Sequence, residues 1–140
     1  MADPWLFSYG TLSEPEYIQR LLKRLPAYKP GSLEGYGLYQ HPGNGYLFVK
    51  PQLGSRVEGQ LFRVSWRELE LIDCWEDVPL YQRELLRIQT GPGQWVEAFV
   101  YTQKASNGVP ATSENLKRRQ EILNDLDSFL ESMRRGGFFK

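Results

Sequence analysis

The sequence predicts an α+β fold in which a strongly bent sheet is covered on both faces, or curled on itself as in a small barrel, with helices packed outside. Three observations predict it. Between residues 31 and 64, aromatic and β-branched residues run in short stretches broken by Gly and Pro, the pattern of short bent strands. Residues 81–103 read as a hairpin with apolar side chains on both faces. Trp95, Phe99 and Tyr101 share one face with Glu97, and Val96, Ala98 and Val100 take the other. Residues 113–135 place Leu116, Leu123, Leu126, Phe129, Leu130 and Met133 on one helical stripe, opposite Lys117, Arg118, Asp125 and Arg134, as a covering helix requires.

Taken in order, residues 5–9 form a first strand that breaks into a loop at Gly10, where backbone N–H groups are free to turn toward an anion. Ser13, Glu14, Pro15 and Glu16 then read as a helix start with Ser13 as N-cap; the helix runs to about Leu25, where Pro26 stops it. Strands follow over 31–39, 46–50 and 57–64, with 41–45 as a turn or loop. Ser65, Trp66, Arg67 and Glu68 form a second capping box, and Leu69, Ile72 and Trp75 follow at helical spacing. Glu76 therefore falls at the C-terminal end of a short helix, among the bulky neighbours Trp75, Leu80 and Tyr81. Strands over 81–89 and 94–103 are closed by the tight-turn composition of 90–93.

Composition narrows the function classes. The 140 residues show no linker, repeat or low-complexity stretch, so they read as one domain over 1–140, with 41% hydrophobic content and seven Phe, eight Tyr and four Trp to fill a core. Seventeen basic and seventeen acidic side chains cancel, leaving no electrostatic reason to expect nucleic acid or an anionic membrane as partner; a small-molecule substrate is expected. The single Cys74 makes no internal disulfide, and with the single His41 it makes no zinc site, so no metal is expected. The N-terminal residues lack a basic and then apolar leader, and no apolar run reaches spanning length, so a cytoplasmic location is expected.

Three strings, in this order and spacing, carry a resemblance. They are Tyr9-Gly10-Thr11-Leu12 directly after the first strand, Val57-Glu58-Gly59-Gln60-Leu61-Phe62 in the glycine-rich middle, and Asp73, Glu76, Tyr81 and Arg83 in the pattern D-x-x-E-x-x-x-x-Y-x-R. Together they resemble the γ-glutamylcyclotransferase-like family, which includes AIG2-like and γ-glutamylamine cyclotransferase proteins, over about residues 6–101. The resemblance implies a small, mostly antiparallel β-barrel with flanking helices. It also implies release of 5-oxoproline from a γ-glutamyl amine or γ-glutamyl-amino acid, with no cofactor. Glu76 carries over as general base and then acid, and Tyr9, Gly10, Thr11 and Leu12 as the loop whose amides hold the substrate α-carboxylate. Tyr81 and Tyr101 join the substrate-binding set.

Other readings stay beside these. Tyr81 and Arg83 also read as strand residues that pack and pair around the site. Cys74 reads as a small buried hydrophobe, His41 as a rim residue, and Lys117, Arg118 and Arg119 as a solvated helix face. Asp77 stands where the family usually has Gly. A non-catalytic member that binds a small ligand is the main alternative to an enzyme, and an interaction scaffold using its aromatic surface is a third reading.

Overall fold

The computed structural model describes residues 3–9, 14–40, 47–75, 82–102, 109–110 and 119–136. The element order is β1 (Trp5–Ser8), α1 (Pro15–Leu22), β2 (Tyr28–Gln40), β3 (Leu47–Arg63), α2 (Trp66–Trp75), β4 (Gln82–Gly91), β5 (Gln94–Thr102), β6 (Val109–Pro110) and α3 (Arg119–Arg135). The sheet order is β3-β1-β5-β4-β2, and β2 pairs in turn with β3, so five strands close into a barrel with β6 added outside on β2. The pairings are antiparallel except β1 with β5, which run parallel with Leu6 opposite Phe99.

Closure divides the apolar residues into two cores. One contains Phe7, Leu33, Val49, Val57, Leu61, Ile88, Ala98 and Val100, side chains from all five barrel strands and from no helix: it is the barrel interior. The other joins Leu6, Phe62, Val64 and Tyr101 to Tyr17, Ile18 and Leu21 of α1, Leu69, Leu71 and Ile72 of α2, and Leu123 and Leu126 of α3. Neighbouring residues such as Leu6 and Phe7, Leu61 and Phe62, or Val100 and Tyr101 go to opposite cores, as the two-residue period of a strand demands.

Gly31 and Gly59 face each other across β2 and β3, and both mark places where the interior has no room for a methyl group. A Cβ on Gly59 would stand 2.5 Å from the Ser8 carbonyl oxygen and 2.8 Å from Phe7 Cζ; one on Gly31 would stand 2.6 Å from Ile88 Cγ2. The glycine of the Val57–Phe62 string is therefore the space that the Phe7 ring and the end of β1 occupy.

Several local expectations change. The strands expected over 46–50 and 57–64 are one seventeen-residue strand, β3, because pairing with β2 resumes on either side of an irregularity. Glu34 pairs with Arg56 and Tyr36 with Pro51, so residues 52–55 bulge out opposite Gly35, and Gly35 and Gly54 absorb the bend at φ 80° and 83°. Helix α1 starts later than expected: Glu14 is its N-cap, without a side-chain cap bond, and Pro15 opens the helix, the position where a missing N–H costs nothing. It also stops earlier, at Leu22, because Lys23 turns left-handed at φ 61° and its amide donates to the Gln19 carbonyl at 2.8 Å. The expected loop over 41–45 and the expected start of the last helix over 113–118 lie outside the described residues.

The second capping box forms as expected. The Glu68 amide donates to Ser65 Oγ at 3.0 Å and the Ser65 amide to Glu68 Oε1 at 2.8 Å. Arg24, just past α1, also forks onto this carboxylate at 2.6 and 2.5 Å, tying the end of one helix to the start of the next. Burial pushes the Glu68 pKa up, but the donors from Arg24 and Ser65 outweigh it, and the group sits below the ordinary glutamate value.

Two outcomes follow from this architecture. Gly59→Ala is expected to lower unfolding free energy by about 1–3 kcal/mol through overpacking, read as a shifted urea midpoint. Glu68→Gln is expected to cost about 1 kcal/mol at neutral pH, discounted for the half-exposed Arg24. A depressed folded pKa gives stability that is present above the unfolded pKa and is lost as pH falls through the folded one. The gap between parent and Glu68→Gln is therefore expected to narrow as urea titrations move below the ordinary carboxylate range.

Candidate functional site

Because β1 and β5 run parallel, their C-terminal ends lie at the same end of the barrel. Tyr9 follows β1 and packs against the interior core, and its hydroxyl donates to the Tyr101 carbonyl oxygen at 2.5 Å. Tyr101 is 4% exposed and points to the opposite side of the sheet, into the layer under the helices, where its own hydroxyl donates to Asp73 Oδ1. Arg83, directly across from Tyr101 on β4, donates to Asp73 Oδ2. The Arg83 guanidinium also lies 5.0 Å from the centroid of the Phe99 ring. One carboxylate thus takes donors from two adjacent strands.

The local sequence explains why Asp73 is there. In α2, Leu69, Leu71 and Ile72 are buried, and Trp75 closes the helix edge-on against Phe129 of α3 at 5.4 Å. That stripe fixes the rotation of α2 and leaves Asp73, in the last turn, beside the outward face of β4 and β5. Cys74 comes out exposed, correcting the expectation of a buried thiol, because it falls off the stripe that Leu71, Ile72 and Trp75 occupy.

Of the residues singled out in the sequence, Tyr9 and Tyr101 are brought into direct contact. Gly10, Thr11, Leu12, Glu76 and Tyr81 lie outside the described residues, as do His41, Asp77, Lys117 and Arg118. The described chain does fix the anchors of the two segments concerned. Residues 10–13 begin after Tyr9, and residues 76–81 begin after Trp75 and end at Gln82. The Asp73–Arg83 pair spans that second segment, with side chains 25% and 29% exposed. Its importance was not read from sequence, although a signal was present: acid and base are the first and last letters of D-x-x-E-x-x-x-x-Y-x-R.

Two further polar features belong to this neighbourhood. Thr102 Oγ1, fully buried, donates to Glu84 Oε2 at 2.5 Å. Gln60 Oε1, opposite Ser8 at the end of β1, is buried and has no hydrogen-bond partner among the described residues. A groove of about 440 Å³ between α1 and α3, lined by Gln19, Arg20, Lys23, Asp127, Leu130, Glu131 and Arg134, contains none of the residues given a catalytic or binding role from the sequence. Its charges include the opposite-sign pairs Arg20–Asp127 at 3.7 Å and Arg134–Glu131 at 2.5 Å. Among the described residues, no helix is long and apolar enough to cross a membrane.

Comparison with known proteins gives concordant results. The family described as "Gamma-glutamyl cyclotransferase, AIG2-like" matches residues 6–125. AIG2-like protein C of Arabidopsis thaliana is 30% identical over 102 residues, covering 71% of this chain and 59% of that protein. Gamma-glutamylaminecyclotransferase B of Danio rerio is 30% identical over 116 residues, with the same two coverages. The chain thus spans less than two thirds of the length of these curated relatives. A crystal structure of an AIG2-like protein from Mus musculus superimposes with a TM-score of 0.66 at 28% identity, covering 76% of this chain and 82% of that one.

Tyr9→Phe tests the contact at the strand ends. Removing the hydroxyl takes a donor from the Tyr101 carbonyl and is expected to lower stability by about 1 kcal/mol, measured as the change in unfolding free energy in urea.

Proposed function

We propose, on the premise that this chain belongs to the gamma-glutamyl cyclotransferase, AIG2-like family, that it releases 5-oxoproline from a γ-glutamyl amine or γ-glutamyl-amino acid. The observation that carries the reading is the family match across residues 6–125, which includes both the Tyr9–Leu12 string and the string holding Glu76. The α-amine of the substrate attacks its own γ-carbonyl carbon. A C–N bond closes the five-membered lactam, the bond to the leaving nitrogen breaks, and the two protons that the α-ammonium loses on becoming a lactam N–H are taken up by the leaving nitrogen, which departs as an ammonium. Water is not consumed and no electron changes hands.

In this reading Glu76 is the proton carrier, first as base and then as acid. A glutamate of ordinary pKa is a weak base toward an ammonium, so the role requires surroundings that disfavour the charged carboxylate, which bulky neighbours such as Trp75 and Leu80 are suited to provide. The amides of Tyr9, Gly10, Thr11 and Leu12 take the α-carboxylate, with Gly10 permitting close approach. Tyr81 completes the binding set. Holding the glutamyl chain folded contributes as much as the proton transfer does, because ring closure within one molecule depends on the reacting atoms being kept near contact.

Full-length protein incubated with a panel of γ-glutamyl amines and γ-glutamyl-amino acids, with 5-oxoproline measured directly, tests the activity. Glu76→Gln is expected to reduce turnover about 10²- to 10⁴-fold while calorimetric affinity for L-glutamate changes little. Turnover within a few-fold of the parent would remove Glu76 from the mechanism. Binding without turnover across the whole panel would replace the enzyme reading by a ligand-binding one, for which Asp77 in place of the usual Gly is the motivating feature.

A further inference from the structure

Asp73, Arg83 and Tyr101 form a cluster that stability alone explains poorly. A partly exposed ion pair adds little to folding free energy, and α2 is already held by Leu69, Leu71 and Ile72 and by Trp75 on Phe129. What the cluster does supply is direction. Asp73 stands three residues before Glu76 and Arg83 stands two after Tyr81, so their pairing ties together both ends of the segment that carries the proposed proton carrier. Tyr101 serves two segments at once. Its hydroxyl holds Asp73, and its carbonyl receives the hydroxyl of Tyr9, the residue from which the proposed carboxylate-binding loop departs. The described residues from which the two segments depart, far apart in sequence, thus meet at one strand end.

We propose that Asp73, Arg83 and Tyr101 are positioning residues that hold the end of α2 and the start of β4, the two points between which residues 76–81 run, in register with the end of β1, and that the Tyr101 hydroxyl serves Asp73 and not the substrate. This rests on the reading of Glu76 as acid and base. It departs from the sequence expectation that Tyr101 touches the ligand, and it adds two residues to which no role in turnover was given. Misplacing a reacting group by about 1 Å can cost about 10²-fold in rate without weakening substrate binding. Loss of positioning should therefore appear in kcat and not in KM.

The test compares full-length Asp73→Asn, Arg83→Gln, Arg83→Lys and Tyr101→Phe with the parent, using γ-glutamyl-L-alanine and γ-glutamyl-n-butylamine as probes and measuring 5-oxoproline. Asp73→Asn, Arg83→Gln and Tyr101→Phe are expected to lower kcat about 10- to 100-fold, with KM within about threefold. Arg83→Lys should recover part of the loss, because it keeps the charge but not the planar fork. The Asp73→Asn, Arg83→Gln double variant should be no worse than the poorer single. A Tyr101→Phe enzyme with raised KM and intact kcat would place the hydroxyl on the substrate and overturn the proposal, as would unchanged kcat in all three variants. A second arm needs no turnover. Amide hydrogen exchange without ligand is expected to be faster at 76–81 in Asp73→Asn and unchanged in Pro15–Leu22. Equal exchange at 76–81 overturns the positioning role. Faster exchange there sustains it even if the parent releases no 5-oxoproline, a result that would count against the cyclotransferase reading alone.

Discussion

Strands β1, β3 and β5 have to keep both of their faces away from water, and the rest of the structure depends on that demand. Leu6, Phe62 and Tyr101 look outward to the helices while Phe7, Leu61 and Val100 look inward to one another. A sheet with two apolar faces needs either a second covering layer or closure. This chain closes, and by doing so satisfies the backbone groups that would otherwise line open edges. The interior is narrow enough that the Gly31–Gly59 pair has to give up its side chains for Phe7, Ile88 and Leu61 to fit. The outer core then fixes where the helices lie, and so where Asp73 stands.

The polar side chains of the Asp73 neighbourhood sit where strands end. Tyr9, Tyr101 and Thr102 occupy the last positions of β1 and β5 or the residue just beyond, and Arg83 and Glu84 the first positions of β4. Within the barrel an unpaired hydroxyl or carboxylate would be costly. At its end the same groups satisfy one another. The concentration of chemistry at one rim follows from the apolar demand made everywhere else.

Much of the fold could be read from local pattern. The alternation along 94–102 already implied two buried faces, and Ser65 with Glu68 gave the start of α2 correctly, since a reciprocal cap depends on residues three apart. Where local signals competed, sequence was a poorer guide. Ser13 and Glu16 suggested a helix start with Ser13 as N-cap, but the helix opens at Pro15, whose fixed φ suits its first position. Pro51 and Gly54 suggested a break between strands, yet both lie within β3, because the hairpin partner β2 continues alongside and a bulge takes up the extra length. The candidate site was legible as three strings but not as contacts. The bond from Tyr101 to Asp73 joins residues 28 apart, and that from Tyr9 to Tyr101 joins residues 92 apart. Spacing along the chain carries no information about such pairs; they exist because the barrel closes.

The parallel pairing of β1 with β5 has a consequence in time. Hairpins β2–β3 and β4–β5 join neighbours in the chain, whereas β1 is flanked by Leu61 and Phe62 on one side and Phe99 on the other. Closing a long loop costs more entropy than closing a short one, so β1, the earliest of the five barrel strands along the chain, is the last of them whose place can be filled. Until residue 99 has been made, β1 lacks one of its two neighbours, and its Leu6 and Phe7 have nowhere dry to go. While the residues between β1 and β5 are being made, a nascent chain of this design therefore carries an incompletely paired apolar strand, an exposure of the kind that chaperones exist to shield.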